Sequence, residues 1–264
     1  QPTANPPLEG LSAGEGARLV TLLPLTGSLA SKGLSRERAA RLAALHINQA
    51  GGLSSGPLRL DHLDSGTSSV TALRQLSSYF ETTGKPDVVI GASSSQVSRE
   101  VLRLAQKERF TMISPASTAS SFTLGDPSDL FFRTAPSDAF QGTVLAERIF
   151  ESGVRRLGLI YLNDTYGVSL KDTLASAFVA LGGEVVTELP YLQGETEMLS
   201  QRVPTFLQTA MEGVCLIGYP QEAPGIFNAW ISSALQPQVK WFFSDGLKAA
   251  QTVAGVTEPF RLDQ

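Results

Sequence analysis

Cysteine is nearly absent: Cys215 is the sole one in 264 residues. One thiol closes no internal disulfide and builds no zinc site by itself. It lies in the apolar run GVCLIGY, which predicts a buried strand position rather than a nucleophile. Histidine is as scarce: His46 sits in AALHINQ, a helical pattern, and His62 in LRLDHLD, a strand pattern. With no HExxH or HxxxH pair, transition-metal chemistry is not expected, and no cofactor is implied. No run approaches the roughly 18–20 apolar residues of a membrane span, and no signal peptide is visible. Charge is also low, 17% against a usual ~25%, so surface polarity must come largely from Ser, Thr, Asn and Gln.

What charge there is totals 21 basic and 25 acidic residues, a net of −4, which argues against a nucleic-acid binder. A hydrophobic fraction of 42% argues against disorder. A chain this long can bury about 70–75% of the surface its unfolded form exposes. The opening QPTANPPLEG reads as a disordered leader or linker over residues 1–17.

From there short apolar runs alternate with amphipathic ones. RLVTLL (Arg18–Leu23) predicts a strand, and Gly33–Ala50 a helix with an apolar face of Leu34, Ala39, Leu42, Ala43, Leu45 and Ile47, stopped by Gly51-Gly52. Strands are expected at Leu58–Leu63, Asp87–Ile90 and Thr111–Ile113, with helices at Ser68–Phe80 and Gln96–Glu108. The second half repeats the theme. Strands fall at Leu157–Tyr161, Glu184–Leu189, Val214–Ile217 and Val239–Phe243; helices fall at Gly167–Leu181, Met198–Met211 and Ala223–Leu235. Pro204 is expected to kink its helix or mark the true start. Such alternation is the signature of an α/β fold with doubly wound parallel sheets. Ser114–Gly153 reads as the segment joining two lobes, 18–136 and 137–250.

In open parallel sheets, function sits at the carboxyl ends of strands. The loops there are PLTGSLASKG, GASSSQ, SPASTASS, LNDTYG, GYPQE and SDGLK, rich in small hydroxylated residues. Their N–H groups at helix starts suit anions. Enzyme fingerprints are missing: no GxGxxG follows the first strand, no P-loop, no GxSxG elbow, and no histidine at a strand end to serve a triad. Asp138 and Asp245 read either as a carboxylate pair or as a helix cap and a turn residue.

LLPLTGSLASKG and HINQAGGL, then VVIGASSSQ, MISPASTASSFT, FFRTAPSDAFQG, NDTYG and FFSDG, stand in the order and spacing of the leucine/isoleucine/valine-binding type of periplasmic substrate-binding protein, which the chain resembles from about Arg18 to Leu247. The resemblance implies the type 1 periplasmic binding fold, two lobes joined by crossovers, with an amino acid held in the cleft. It places Ser95, Ala116 and Thr118, with Ser117, at the ligand α-carboxylate. It places Asp138 and Asp245 at the α-ammonium, Tyr166 closing on the same ammonium, and Tyr219 as a second-lobe aromatic. Lys32 stands where relatives carry a tyrosine, and points either to solvent or to an acidic ligand group. Relatives continue through a third crossover; here residues 251–264 read as its start. The implied role is a non-enzymatic solute-binding protein, periplasmic or extracellular, either free or lipid-anchored outside the cytoplasmic membrane, passing an amino acid to an ABC transporter permease, with a hinge near Ala135–Asp138. The alternative is a sensor or protein-interaction module of the same fold. The chemistry agrees: a zwitterion needs opposite electrostatic pockets, and a bound ammonium relieves the repulsion of two nearby carboxylates.

Overall fold

In the computed structural model the described residues are 16–124, 129–233 and 239–256. Alternating apolar strands and amphipathic helices assemble two sheets, each entirely parallel. The first contains β1 (Arg18–Leu23), β2 (Arg59–Asp64), β3 (Val88–Gly91), β4 (Thr111–Ser114) and β5 (Phe131–Arg133), in the order β2-β1-β3-β4-β5. Its helices are α1 (Ala30–Gln49), α2 (Ser69–Thr82) and α3 (Ser95–Glu108). The second contains β6 (Arg156–Leu162), β7 (Glu184–Tyr191), β8 (Gly213–Ile217) and β9 (Lys240–Phe243), in the order β7-β6-β8-β9. A short α4 (Ser121–Leu124) precedes β5, and α5 (Asp138–Glu151), α6 (Thr165–Ala180), α7 (Thr196–Phe206) and α8 (Ala223–Ile231) accompany the second sheet. The expected α/β, doubly wound parallel architecture is the one the chain adopts.

The chain packs as two compact units. Among the described residues, 16–116 and 129–134 make the first, and 117–124, 135–233 and 239–256 the second. The loop 117–124, read from sequence as part of the first lobe, groups with the second. Of residues 1–17 and 251–264, only 16, 17 and 251–256 are described.

In each unit the central strands are apolar on both faces. Val20, Leu22 and Leu23 of β1 are buried, and so is every residue of β8, including Cys215, whose thiol burial holds well above its ordinary ionisation range. Parallel strands sandwiched between helices require this. The strand order reverses direction between β1 and β3 in the first sheet and between β6 and β8 in the second. Those reversals open the crevices where doubly wound sheets bind ligands, outside the strands' carboxyl ends.

Several expectations need correction. Ser114–Gly153 is not a bare connection: it holds α4, β5 and the 14-residue α5. Helix α1 begins at Ala30, ahead of Gly33, and turns much of its expected apolar face outward. Leu34, Leu42 and Leu45 are 44–53% exposed, while Gly33, Glu37 and Ala44 are buried. Glu37 faces inward because it pairs with Arg41 and approaches His62 Nε2 at 3.7 Å. The other ring nitrogen of His62 lies 2.7 Å from Thr21 Oγ1, so this histidine is committed to packing β1 against β2. Pro204 neither starts nor precedes α7; it lies in the last turn, and the helix ends at Phe206, short of Met211. Helix α8 ends at Ile231 rather than Leu235.

Candidate functional site

In the first unit, Ser93, Ser94 and Ser95 link β3 to α3, and all three are buried. Ser94 is the N-cap residue, yet its side chain makes no cap hydrogen bond. The buried Ser93 hydroxyl finds no hydrogen-bond partner among the described residues. The Ser93 hydroxyl and the positive end of α3 thus stand at the carboxyl end of a central strand, an arrangement suited to an anion. Two hydroxyls brace this edge: Ser114 donates to Ala92 O at 2.6 Å, and Ser98 accepts from Ala92 N at 3.0 Å. Ala116 commits its N–H to Ser114 Oγ at 3.2 Å. Lys32 occupies the first turn of α1, half-buried.

In the second unit, four predicted residues converge. Helices α5 and α6 pack side by side, and the charge of Asp138 at the head of α5 reaches Tyr166 at the head of α6. Asp138 is the first residue of α5 and is fully buried. Ser137 supplies the cap, accepting from Ala139 N at 3.3 Å, so the carboxylate of Asp138 is not the helix cap. The N–H of Asp138 donates to Thr118 O at 2.8 Å, fastening the 117–124 loop to the head of α5. Tyr166, the second residue of α6, is held by Asp164, whose Oδ1 accepts from the N–H groups of Tyr166 and Gly167, each at 2.9 Å. Tyr219 follows β8 and stacks on Tyr166, centroids 5.5 Å apart and planes 5° from parallel. The Tyr166 hydroxyl donates to Asp245 Oδ1 at 2.9 Å. Gly246 allows this approach: a Cβ there would stand 2.4 Å from Gly218 O and 2.9 Å from the Tyr166 hydroxyl.

Electrostatics at this edge are strongly negative. Burial pushes the Tyr166 phenol well above its usual range, and the charges of Asp245 and Asp138 push in the same direction, against a hydrogen bond with Ser244. Tyr166 is therefore a neutral donor flanked by two acidic side chains. Asp138 lies in the first turn of α5, at the positive end of that helix's dipole. Tyr166 and Tyr219 lie on the two sides of the strand reversal between β6 and β8. A donor phenol, two carboxylates and an aromatic face form an environment for a cation that carries N–H donors. Beside Asp245 lies a cavity of about 530 Å³, with Phe227, Phe243, Leu247 and Val253 among its walls and Gln141 and Lys248 contributing polar groups.

The structure thus brings together Asp138, Tyr166, Tyr219 and Asp245, with Thr118 bonded to Asp138. Ser117 and Thr118 belong to this second unit, while Ser95, Ala116 and Lys32 belong to the first. Sequence reasoning passed over Ser93, although it stands in the same Ser-Ser-Ser run as Ser95. It also passed over Asp164 and Glu222, which support the loops bearing the two tyrosines. Aspartate two residues before Tyr166 in NDTYG was a legible cap signal; Glu222 in the polar stretch PQEAP carried none.

Parallel α/β units of this strand order, with polar groups gathered at the strand reversals, are the fold of type 1 periplasmic binding proteins. Two solved structures share it. The leucine-binding protein LivK of Thermotoga maritima MSB8 matches with a TM-score of 0.79 at 20% identity, over 92% of this chain and 67% of that one. The branched-chain amino-acid transporter substrate-binding protein LivJ of Streptococcus pneumoniae, in complex with isoleucine, matches with a TM-score of 0.75 at 22% identity, over 92% and 68%. The chain belongs to the receptor family ligand binding region, which it matches over residues 35–259. A curated relative, the chemotactic signal transduction system substrate-binding protein BasB of Halobacterium salinarum, is 26% identical over 227 residues, 82% of this chain and 53% of its own. The chain spans about half the length of that relative.

Proposed function

We propose that the chain binds an α-amino acid, with Asp138, Asp245 and the Tyr166 hydroxyl taking its α-ammonium against the face of Tyr219. The single observation that carries this reading is the convergence of two acidic side chains on one buried phenol, whose hydroxyl lies 2.9 Å from Asp245. The resemblance assigns Ser95, Ala116, Ser117 and Thr118 to the α-carboxylate and adds Lys32, and these residues enter the proposal on that ground alone. The cavity beside Asp245 gives room for a side chain. In this reading the chain is the binding part of a solute-binding protein outside the cytoplasmic membrane, delivering its ligand to an ABC permease, and it turns nothing over. Neighbours described as branched-chain amino-acid binders support it.

Isothermal calorimetry against each of the twenty amino acids tests it. We expect micromolar or tighter binding of at least one. Asp138→Ala should weaken it by about 30-fold or more, the scale of removing one partner of a buried charge pair. Unchanged affinity in that variant refutes the ammonium assignment.

A second reading, sensing rather than transport, is favoured by the chemotactic relative BasB. Deleting the gene separates the two. Loss of labelled amino-acid uptake marks transport; loss of a behavioural or transcriptional response with uptake intact marks sensing.

A further inference from the structure

Beneath the loops that carry Tyr166 and Tyr219 lies a second acidic set that the proposed binding site does not use. Tyr191, the last residue of β7, is 1% exposed and extends its hydroxyl under the loop after β8. The fit is close: a Cβ on Gly218 would stand 1.7 Å from that hydroxyl, which also lies 3.5 Å from Ile217 O. The amide of Tyr219 faces the same hydroxyl. Glu222, three residues after Tyr219 and immediately before α8, is fully buried. Its Oε1 accepts from Gly194 N at 2.9 Å, tying the loop after β7 to the head of α8. Its Oε2 has no hydrogen-bond partner among the described residues. The Tyr191 phenol of β7 feels the charge of Glu222 and that of Asp164, from the turn between β6 and α6. Among the described residues no salt bridge reaches Glu222.

We infer that Glu222 is a positioning residue for Tyr219, and that gain or loss of a proton on its carboxyl moves Tyr219 and thereby makes ligand affinity depend on pH. A carboxylate enclosed with no cation and only backbone amides as donors is costly in its ionised form; the neutral acid is tolerated far better. Burial accordingly raises the Glu222 carboxyl above its ordinary range, against the pull of the Gly194 amide and its own. Ionisation therefore drives the side chain to seek water. Two connections lead from there to the binding edge: the Gly194 bond, and the three-residue path back to Tyr219, whose loop rests on Tyr191. The neutral acid keeps the stacked tyrosine pair seated, and the anion loosens it.

This inference rests on the reading that Tyr219 faces the ligand, so its first test needs no ligand. The chain has five tyrosines, Tyr79, Tyr161, Tyr166, Tyr191 and Tyr219. With ring-labelled ¹³C-tyrosine, NMR from pH 4.5 to pH 8 should show the Tyr219 signal moving through one transition. That movement should survive in Asp164→Asn, be lost in Glu222→Gln, and shrink in Tyr191→Phe, which keeps the ring and removes the hydroxyl. A flat Tyr219 signal in the parent protein, or a transition that persists in Glu222→Gln, overturns the inference. If Glu222→Gln fails to fold, the parent titration and Tyr191→Phe decide alone. The second test uses an equimolar mixture of the twenty amino acids. Its thermal stabilisation should be smaller at the high-pH end of the tyrosine transition than at the low-pH end in the parent, and equal at both in Glu222→Gln. No stabilisation at any pH counts against amino-acid binding, while the tyrosine titration still judges Glu222.

Discussion

Tyr166 concentrates the chemistry of the second unit in one oxygen. Its ring is packed on Tyr219, its backbone is fixed by Asp164, and its hydroxyl is spent on Asp245. Removing that oxygen isolates its contribution. In Tyr166→Phe the ring stack persists and the exposed Asp245 turns to water, so stability should fall by only about 1 kcal/mol, the net value of one hydrogen bond. Affinity for the amino acid found by calorimetry should fall by roughly 10-fold, because a donor aimed at the Asp245 carboxylate also fixes that carboxylate for the ammonium. Equal affinity in the two proteins removes Tyr166 from the site. At this scale the residues themselves offered Asp138 and Asp245 as a carboxylate pair, while Tyr166 and Tyr219 were singled out through the family resemblance. The sequence was silent on Glu222 and Ser93, because burial of a polar side chain depends on neighbours from distant segments. Gly194 and Tyr191, which enclose Glu222, lie about thirty residues away in the chain.

Helix α5 shows how an element can escape the periodicity that revealed most of the others. Its inward residues are Asp138, Gly142, Ala146 and Ile149, mostly small or polar, while Phe140 and Val144 are 72% and 53% exposed. The apolar stripe that normally marks the core face points outward here, since the close contact with α6 selects small residues. Helix α1 misleads in the same way through Leu34, Leu42 and Leu45. Helix α6 is the opposite case: its cap was readable, and it is testable. Burial raises the Asp164 carboxyl to about 6, despite the amides of Gly167 and Tyr166 that pull it down. A folded-state value above the unfolded one means that the folded chain holds the extra proton between about pH 4 and pH 6. Stability should therefore decline as pH rises through that window, by up to about 3 kcal/mol. Asp164→Asn keeps the cap oxygen and loses the charge, so urea midpoints across the window should show a smaller decline than in the parent. Asp164→Ala loses the cap as well and should cost about 1 kcal/mol, within a range of roughly 0.5–2. A steeper decline in Asp164→Asn than in the parent contradicts this account.

The whole molecule consists of two units, each with its own sheet and its own polar edge, and the chain carries optical probes that distinguish them. Both tryptophans, Trp230 and Trp241, lie in the second unit, where they pack edge to face 5.7 Å apart. Tryptophan fluorescence therefore follows the unfolding of the unit that holds Asp138, Tyr166, Tyr219 and Asp245. An amino acid present at 100 times its Kd stabilises whatever binds it by ~2.7 kcal/mol. For a unit of this size that corresponds to a rise of roughly 5–10 °C in Tm. The tryptophan-monitored transition should move by that amount. Ser95→Ala, in the first unit, should leave the ligand-free tryptophan transition where it is. A tryptophan transition that stays fixed while calorimetry records binding moves the ammonium pocket away from Asp138 and Tyr166 altogether.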